Sequence, residues 1–335
     1  MKRKYQNGFF IFGVIVLGMM VSQLDFGSVR EGLQRAGYWF FAVVALWFFL
    51  YMFNAFAWRI IIKSVVGKSP KIPFWWLYQV TVSGFALNYA TPVGLMGGEP
   101  YRIMSLSPII GAERASSSVI LYVMTHIFSH FWFWVISIVL YVLLRPVNFS
   151  VGIVLGISTI FCCLGLWFFI IGYRKGLAFR AMNLLRHVPL LRRWIKPFVE
   201  RHREQLDAID GQIAAMHRQN PRTLTAAVLL ELFCRIFSAL EIYFVLLVLL
   251  PEVNYVDCIL ILAFTSLFAN LLFFIPLQLG GREGGFLISI TTLGLTLSSG
   301  VFVALIVRLR ELIWTGLGLL LIKLSKKYVE ADKID

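Results

Sequence analysis

The sequence has 335 residues, of which 59% are hydrophobic and only 14% are charged, and its mean hydropathy is +0.80. Soluble domains carry about 25% charged residues, so this composition excludes an ordinary soluble fold and favours a membrane protein with many apolar segments. No nucleic-acid motif accompanies the net charge of +14, and basic loops facing an anionic cytoplasmic leaflet explain that charge instead.

Apolar stretches of about 20 residues predict an all-α polytopic fold with about eight transmembrane segments. These segments lie at 9–24, 38–62, 74–91, 115–144, 151–172, 223–250, 257–275 and 299–322. Two shorter apolar segments, 101–111 and 285–297, follow interruptions rich in Gly and Pro. The first stretch begins like a signal peptide but lacks a small-residue cleavage pattern, so we expect an uncleaved span.

Lysine and arginine are unevenly distributed between the two sides of this predicted topology. With the N-terminus inside, 23 of them fall on the cytoplasmic side and three on the outer side. The positive-inside rule therefore predicts a multi-pass protein of the cytoplasmic (inner) membrane with both termini in the cytoplasm. The same orientation requires residues 74–111 to return to the cytoplasmic face and residues 257–297 to return to the outer face. Each is predicted to be a re-entrant hairpin or a pair of short helices.

The segment 174–222 is the longest polar stretch, and eleven basic residues lie in it. Leucine and tryptophan alternate there with arginine and lysine, which predicts a cytoplasmic connector helix on an anionic membrane surface. A solvated helical linker is the alternative, because basic amphipathic segments are weakly diagnostic.

The two interrupted segments, 88–102 and 270–285, share one pattern in opposite predicted orientations. Each runs from Asn through Pro to Gly-Gly and then to Glu, with an Arg nearby. A matched pair of broken segments indicates an inverted repeat with a binding site near the membrane midplane. We predict a single membrane domain over 1–335, with a first repeat at about 38–144 and a second at about 223–322.

Broken helices expose backbone N–H groups that bind anions, and arginine offers a two-pronged donor for phosphate or carboxylate. A charge at the centre of a membrane helix costs about 2.5–3.5 kcal/mol, so charges retained in apolar segments indicate a polar site or a structural ion-pair network. Glu231 with Arg235, and Arg308 with Glu311, have the spacing of pairs within one helix. The predicted substrate-binding residues are Asn88, Glu99, Arg102, Arg235, Glu241, Asn270, Arg282, Glu283, Arg308, Arg310 and Glu311.

Neither the cysteines nor the histidines form a metal-binding pattern. His126 and His130 lie one helical turn apart but lack the intervening Glu of zinc proteases, so we expect packed or cavity-lining histidines and no metal. We also expect no cofactor. The cysteines lie in apolar runs and are predicted to be small core residues: Cys162, Cys163, Cys234 and Cys258.

Two motifs carry a family resemblance: P-x-G-x-x-G-G-E-P-x-R at Pro92–Arg102 and P-x-x-x-G-G-R-E-G at Pro276–Gly284. With them, the sequence resembles the flippase-like transmembrane domain of the lysylphosphatidylglycerol synthase family over roughly residues 5–327. The resemblance implies movement of a polar-headed lipid between leaflets, with Glu99, Arg102, Arg282 and Glu283 at motif positions. The full synthases also carry a soluble aminoacyl-transfer domain. We expect a stand-alone member without that activity.

Three hypotheses of function follow. The first is a lipid flippase, a transporter rather than an enzyme, whose partner is an anionic phospholipid or a polyprenyl phosphate derivative. The second is a membrane-embedded head-group transferase in which Glu231, Glu241 or His126 acts as general base. The third is a non-catalytic partner in envelope assembly that docks through segment 174–222. A homodimer is left open, and no nucleic-acid partner is expected.

Overall fold

The computed structural model describes residues 3–22, 25–66, 72–90, 97–175, 221–271 and 281–331, together with positions 203, 207, 210 and 211. The regular structure of these residues is α-helical. In chain order the helices are α1 (Arg3–Ser22), α2 (Phe26–Ala36), α3 (Tyr38–Val66), α4 (Phe74–Ala90), α5 (Gly98–Ile110), α6 (Ala112–Leu144), α7 (Phe149–Lys175), α8 (Pro221–Ser238), α9 (Leu240–Leu246), α10 (Tyr255–Leu271), α11 (Gly281–Thr292) and α12 (Leu297–Ala331). The predicted connector helix lies almost wholly outside the described residues, as does the centre of each Gly/Pro interruption.

Three of the described helices are long and apolar enough to cross a bilayer, over Tyr38–Ser64, Ala112–Leu144 and Phe149–Tyr173. Shorter apolar helices lie at Asn7–Met19 and Tyr255–Asn270. Large apolar side chains remain exposed along α7, as contact with lipid requires. The chain is therefore a helical membrane protein, as its composition predicted. The number of eight spans stays a prediction.

Helix α2 was not predicted, because its mixed polarity gives no apolar stretch. Asp25 caps it by accepting hydrogen bonds from the backbone N–H groups of Gly27 and Ser28, at 3.1 and 3.2 Å, and from the Ser28 hydroxyl, at 2.6 Å. These bonds, the hydroxyl's above all, lower the pKa of Asp25. Gly37 ends the helix with φ +55°, a conformation that only glycine adopts at little cost.

The predicted span 223–250 is not one continuous helix. It divides at Ala239, whose N–H donates to the carbonyl of Ile236 at 3.1 Å instead of to the residue four positions back. Just before it, the Ser238 hydroxyl donates to the Arg235 carbonyl at 2.7 Å. Serine that bonds back to its own helix competes with the backbone ladder. The break therefore separates α8 from α9 and starts α9 at a new position beside α12.

Each Gly/Pro interruption lies between two helices that pack closely against each other. In the first pair, α4 and α5, a Cβ added to Gly98 would lie 2.1 Å from the carbonyl oxygen of Gly84. In the second pair, α10 and α11, a Cβ added to Gly285 would lie 3.1 Å from the Cα of Thr265. Glycine thus permits close approach in both pairs.

The first helix of each pair runs antiparallel to a long helix from the other half of the chain. The Ser83 hydroxyl of α4 donates to the Gly318 carbonyl of α12 at 2.9 Å, and Tyr89, at the end of α4, reaches α12 about two turns earlier in that helix. In the other half, the indole N–H of Trp134 in α6 donates to the Ser266 hydroxyl of α10 at 2.9 Å. Both α4 and α10 therefore end beside the middle of a long helix.

Helix packing follows the same pattern in the two halves. Helix α4 packs on α3 and α5, as α10 packs on α9 and α11. Helix α5 then packs on α6, as α11 packs on α12. Between the halves, α4 packs on α12 as α10 packs on α6. The buried core forms where these helices meet. Helices α1 and α7 lie at its edge against α12 and α6, and α7 contributes Leu155, Cys162, Phe169 and Tyr173 to it.

Candidate functional site

A cavity of about 240 Å³ lies among α3, α4, α6, α8 and α12. Its polar lining includes His126, Glu231, Arg235, Arg310 and Glu311. Aromatic side chains from α3 and α4 complete the walls. Ligand pockets usually measure about 300–1,000 Å³, so this cavity suits a head group rather than a whole lipid.

Arg310 and Glu241 form the most complete ion pair at the cavity wall. The guanidinium Nε and Nη2 of Arg310 lie 2.7 and 2.9 Å from the two carboxylate oxygens of Glu241. The indole N–H of Trp47 donates to the same carboxylate at 3.1 Å, and its ring lies 3.8 Å from the guanidinium carbon. Such a two-pronged, buried pair is strong and geometrically specific. It joins α9, just after the helix break, to α12.

Tyr89 connects two charged residues of α12. Its hydroxyl accepts a hydrogen bond from Arg308 at 2.9 Å and donates one to the carboxylate of Glu311. The predicted contact between Arg308 and Glu311 is thus mediated by a tyrosine of α4. Glu311 also lies 3.8 Å from Arg310, so the wall of α12 forms a connected charge network.

The third charged group joins α6 to α8. His126 Nδ1 lies 2.8 Å from a carboxylate oxygen of Glu231. Arg235 donates to the Ser129 hydroxyl and to the His126 carbonyl, both at 2.9 Å. The predicted pair of Glu231 and Arg235 within α8 is therefore wrong. A pair within one helix contributes about 0.2–0.5 kcal/mol, and here each side chain bonds to the facing helix instead.

A fourth cluster holds the start of α5 against α4. The Asn88 side chain accepts from the backbone N–H of Gly98 at 2.7 Å and donates to the Glu99 carboxylate at 2.8 Å. Arg102 donates to the same carboxylate oxygen at 3.3 Å and to the Thr81 carbonyl at 3.4 Å. The amide of Asn88 and the carboxylate of Glu99, near the two ends of the motif, thus fix the first turn of α5.

The guanidinium of Arg102 is enclosed by aromatic rings. Its carbon lies 4.7 Å from the ring centre of Phe85, 5.2 Å from that of Tyr122 and 6.0 Å from that of Trp58. A Cβ on Gly84 would lie 2.4 Å from Arg102 Nε, so this glycine makes room for the side chain. Phe85 lines the cavity on its other side, and the Arg102 cluster is therefore adjacent to the cavity rather than within its lining.

The predicted binding residues are distributed among these groups. The cavity is lined by Arg235, Arg310 and Glu311. Glu241 and Arg308 bond to lining residues. The adjacent cluster consists of Asn88, Glu99 and Arg102. Asn270 is exposed and donates to the Ser266 carbonyl of its own helix at 2.7 Å. The side chains of Arg282 and Glu283 lie outside the described part of the structure.

The cavity residues of α3 were not among the predicted binding residues. Trp47, Tyr51 and Asn54 all line the cavity, and the Tyr122 hydroxyl donates to the Asn54 side chain at 3.2 Å. Their spacing of four and three residues places them on one face of α3. Polar groups at helical spacing within an apolar span would have identified them.

The histidines and cysteines form no metal site in the described residues, where no group of three or more candidate ligands occurs. The rings of His126 and His130 lie 5.5 Å apart, and both histidines line the cavity. Three of the cysteines are buried as predicted, whereas Cys163 is exposed on α7. Free cysteine of this kind packs as a small apolar residue.

The model of one protein family matches residues 8–318, which is nearly the whole chain. Its description is the lysylphosphatidylglycerol synthase TM region. No curated protein and no solved structure matches the chain. Both broken-segment motifs lie within the matched residues, so the resemblance noted from those motifs is confirmed. The chain belongs to the family of the lysylphosphatidylglycerol synthase TM region.

Proposed function

We propose that this protein is a flippase that moves a polar-headed lipid carrying a phosphate between the leaflets of the cytoplasmic membrane. An anionic phospholipid and a polyprenyl-phosphate-linked lipid share that phosphate. The observation that carries the proposal is the charged cavity among apolar helices, since charges at this depth are costly and mark transport pathways. The head group occupies the cavity while the hydrocarbon tail stays in the bilayer.

Arg235 is the residue best placed to bind the phosphate. It lines the cavity, and its hydrogen-bond partners, the Ser129 hydroxyl and the His126 carbonyl, carry no charge. Arg310, by contrast, is already held by both oxygens of Glu241. An arginine bound to neutral acceptors keeps its full charge for an anionic ligand, and a phosphate offers the geometry that its planar donors match.

The repeated packing of the two halves supports an alternating-access mechanism. Two broken helix pairs, 74–111 and 257–297, each reach the middle of a long helix from the other half. We infer that they are re-entrant hairpins that enter from opposite faces, within an inverted repeat of about 38–144 and 223–322. Rocking of one half against the other then opens the cavity to each leaflet in turn.

Contacts at the ends of the long helices support the proposed orientation. Lys323, near the end of α12, lies with its Nζ 4.0 Å from the ring centre of Phe10 in α1, so these two ends share one side. Arg35 of α2 lies 5.4 Å from the ring centre of Phe302, near the start of α12. The basic N- and C-terminal segments are thus at the same end, which we assign to the cytoplasm.

The test is lipid movement in vesicles that contain the purified full chain. Phosphatidylcholine vesicles with a trace of fluorescent phosphatidylglycerol report on phospholipid, because dithionite destroys only the outer-leaflet fluorophore. Vesicles with a polyprenyl monophosphate report on the other lipid, because an added phosphatase reaches only the outer leaflet. Movement in one arm identifies the tail class. Movement in neither arm contradicts the flippase proposal, and a chemically altered lipid in mass spectra favours the transferase.

An arginine variant tests the assigned site. Arg235→Gln should slow lipid movement about tenfold or more, since hydrogen bonds to charged groups contribute about 1.5–3 kcal/mol. Arg114→Gln is the matched control, because Arg114 is exposed at the start of α6. Equal rates for the two variants would remove Arg235 from the binding site.

A further inference from the structure

We infer that the pair His126–Glu231 couples lipid movement to a proton, with one proton and one lipid anion carried together in the same direction. The inference rests on the proposed flippase function and assigns its driving force. It depends on three observations: the geometry of the pair, the charge balance of the cavity and the position of Arg235 beside the pair.

The pair is placed to take up and release a proton. One carboxylate oxygen of Glu231 lies 2.8 Å from His126 Nδ1, and the other, Oε1, is buried and accepts no hydrogen bond from any described residue. Both residues line the cavity, although Glu231 is only 1% exposed. A proton can therefore bind at Oε1 while the other oxygen keeps its contact with His126.

Other titratable groups lie around the pair. Across the cavity, α4 and α12 present Tyr89, Arg310 and Glu311, and Glu241 of α9 is bound to Arg310. The groups from α3 and α5 are Tyr51 and Arg102, and those from α6 and α8 are Tyr122, His130, Cys234 and Arg235. On α7, the Tyr173 hydroxyl bonds to Thr125, next to His126. On α10, Ser266 faces α6 and does not titrate. Arginine, tyrosine and cysteine ordinarily titrate above about pH 8, so these neighbours, His130 apart, keep a fixed charge near neutrality.

The charges of the described residues in and around the cavity balance one another. Three arginines have a carboxylate within their own network: Arg310 with Glu241, Arg308 with Glu311 through Tyr89, and Arg102 with Glu99. Arg235 and Glu231 remain, one helical turn apart, with opposite charges. With His126 neutral, the charges of these eight described residues sum to zero.

A phosphate monoanion on Arg235 disturbs this balance, and a proton restores it. The bound anion lies close to Glu231, so its charge favours protonation of the pair. By linkage, a proton on the pair strengthens anion binding by the same factor by which the anion strengthens proton binding. The loaded site with one proton is again neutral, and a neutral site crosses a low-dielectric barrier at the least cost. The empty site returns without either ligand.

This stoichiometry predicts how the distribution of lipid between the leaflets depends on membrane potential and on pH. Transport of one proton with one monoanion moves no net charge, so membrane potential does not affect it. At equilibrium, the ratio of lipid between leaflets equals the proton ratio, about tenfold per pH unit. Wherever the outside is more acidic, lipid accumulates in the inner leaflet.

The decisive experiment adds a pH gradient to the vesicle assay. Phosphatidylcholine vesicles containing the full chain and a trace of fluorescent phosphatidylglycerol are placed one pH unit more acidic outside than inside. If the polyprenyl lipid alone moves without a gradient, a fluorescent polyprenyl phosphodiester replaces this probe, because a phosphodiester is a monoanion whereas a phosphate monoester is largely a dianion at neutral pH. We expect the inner-to-outer ratio to rise from about 1 to about 10. A potassium diffusion potential of either sign should leave that ratio unchanged.

Variants assign the coupling to the pair. In Glu231→Gln and His126→Gln the ratio should stay near 1 under the same gradient, at whatever rate the lipid equilibrates. Glu113→Gln is the matched control, because Glu113 is exposed at the start of α6, and it should reach the wild-type ratio. Folding of each variant is checked by size-exclusion chromatography.

Infrared difference spectra provide a second measurement that does not need transport. Adding short-chain phosphatidylglycerol to the detergent-solubilised wild type should produce the band of a protonated carboxylic acid. That band should be absent in Glu231→Gln and present in Glu113→Gln. A wild-type spectrum without the band removes Glu231 as the group that holds the proton.

The two proposals fail in different ways. If wild-type vesicles equilibrate lipid but keep an inner-to-outer lipid ratio of 1 under the gradient, the flippase function stands and the coupling is refuted. Wild-type vesicles that never move lipid refute both. If the Glu231→Gln variant still reaches the wild-type ratio, transport is coupled to protons but the His126–Glu231 pair is not the coupling site.

Discussion

Arg310 and Glu241 hold each other through two hydrogen bonds of 2.7 and 2.9 Å across the contact of α12 with α9. Removing one partner of a buried ion pair leaves the other charge unpaired, at a cost of about 3–5 kcal/mol. We expect Arg310→Met or Glu241→Met alone to lower the thermal midpoint of the detergent-solubilised protein sharply. The double variant should recover most of the loss. A double variant no more stable than either single one would show that the two residues do not act as a unit.

The Tyr89 hydroxyl connects Arg308 and Glu311, so Tyr89→Phe removes one donor and one acceptor from a charged network. Hydrogen bonds to charged groups contribute about 1.5–3 kcal/mol, and the free energy of unfolding should fall by about that amount. Denaturant unfolding in mixed micelles measures it. Tyr38→Phe is the control, because Tyr38 is 72% exposed and should tolerate the change. Equal stability of the two variants would contradict the bridging role.

Gly98→Ala should disrupt the packing of α5 on α4. The new Cβ would lie 2.1 Å from the backbone oxygen of Gly84, which has no flexible side chain to move away. The contact of the Gly98 N–H with Asn88 would then be lost, and the yield of monodisperse protein should fall severely. Gly156→Ala on α7 is the control, since its Cβ would meet nothing within 4 Å. That substitution should be neutral or stabilise the helix by about 0.5–1 kcal/mol.

Asp25 gives α2 a pH dependence. Its pKa is lowered in the folded protein, mainly by the Ser28 hydroxyl, so it stabilises α2 while it is ionised. The stabilisation is fully present above the ordinary pKa of 3.8 and is lost as pH falls through the lower folded value. Hydrogen exchange of the α2 amides should accelerate over that interval. Asp25→Asn caps without titrating, and its exchange should not show this additional step.

Thiol labelling tests the two hairpins. The starting variant lacks the four native cysteines, and each test variant carries one new cysteine. Lys63→Cys and Glu113→Cys flank the first hairpin, and an impermeant maleimide should label them only after the cells are lysed. Glu252→Cys and Ser298→Cys flank the second hairpin, and the same reagent should label them from outside intact cells. Opposite accessibility within either pair would show that the segment crosses the membrane completely.

Much of the architecture was predictable because it depends on local properties. The long apolar stretches that became α3, α6 and α7 are recognisable by length. Gly98 of the first motif and Gly285, directly after the second, lie where helices approach closely. Helix α2 was missed because a short helix of mixed polarity has no hydropathy signal. The division at Ala239 was missed because it depends on which carbonyl the Ser238 hydroxyl selects.

The sequence by itself determined the membrane class, the family and the inventory of charges, since composition and motifs suffice for these. The tertiary structure decided which charged side chains pair with each other. Glu231 has Arg235 one turn away in its own helix, yet it pairs with His126 of α6 at 2.8 Å. A pair within one helix is weak and flexible, whereas a partner presented by a packed helix lies at a fixed short distance in surroundings that strengthen the interaction. That distance depends on helix packing, which no spacing along the chain encodes.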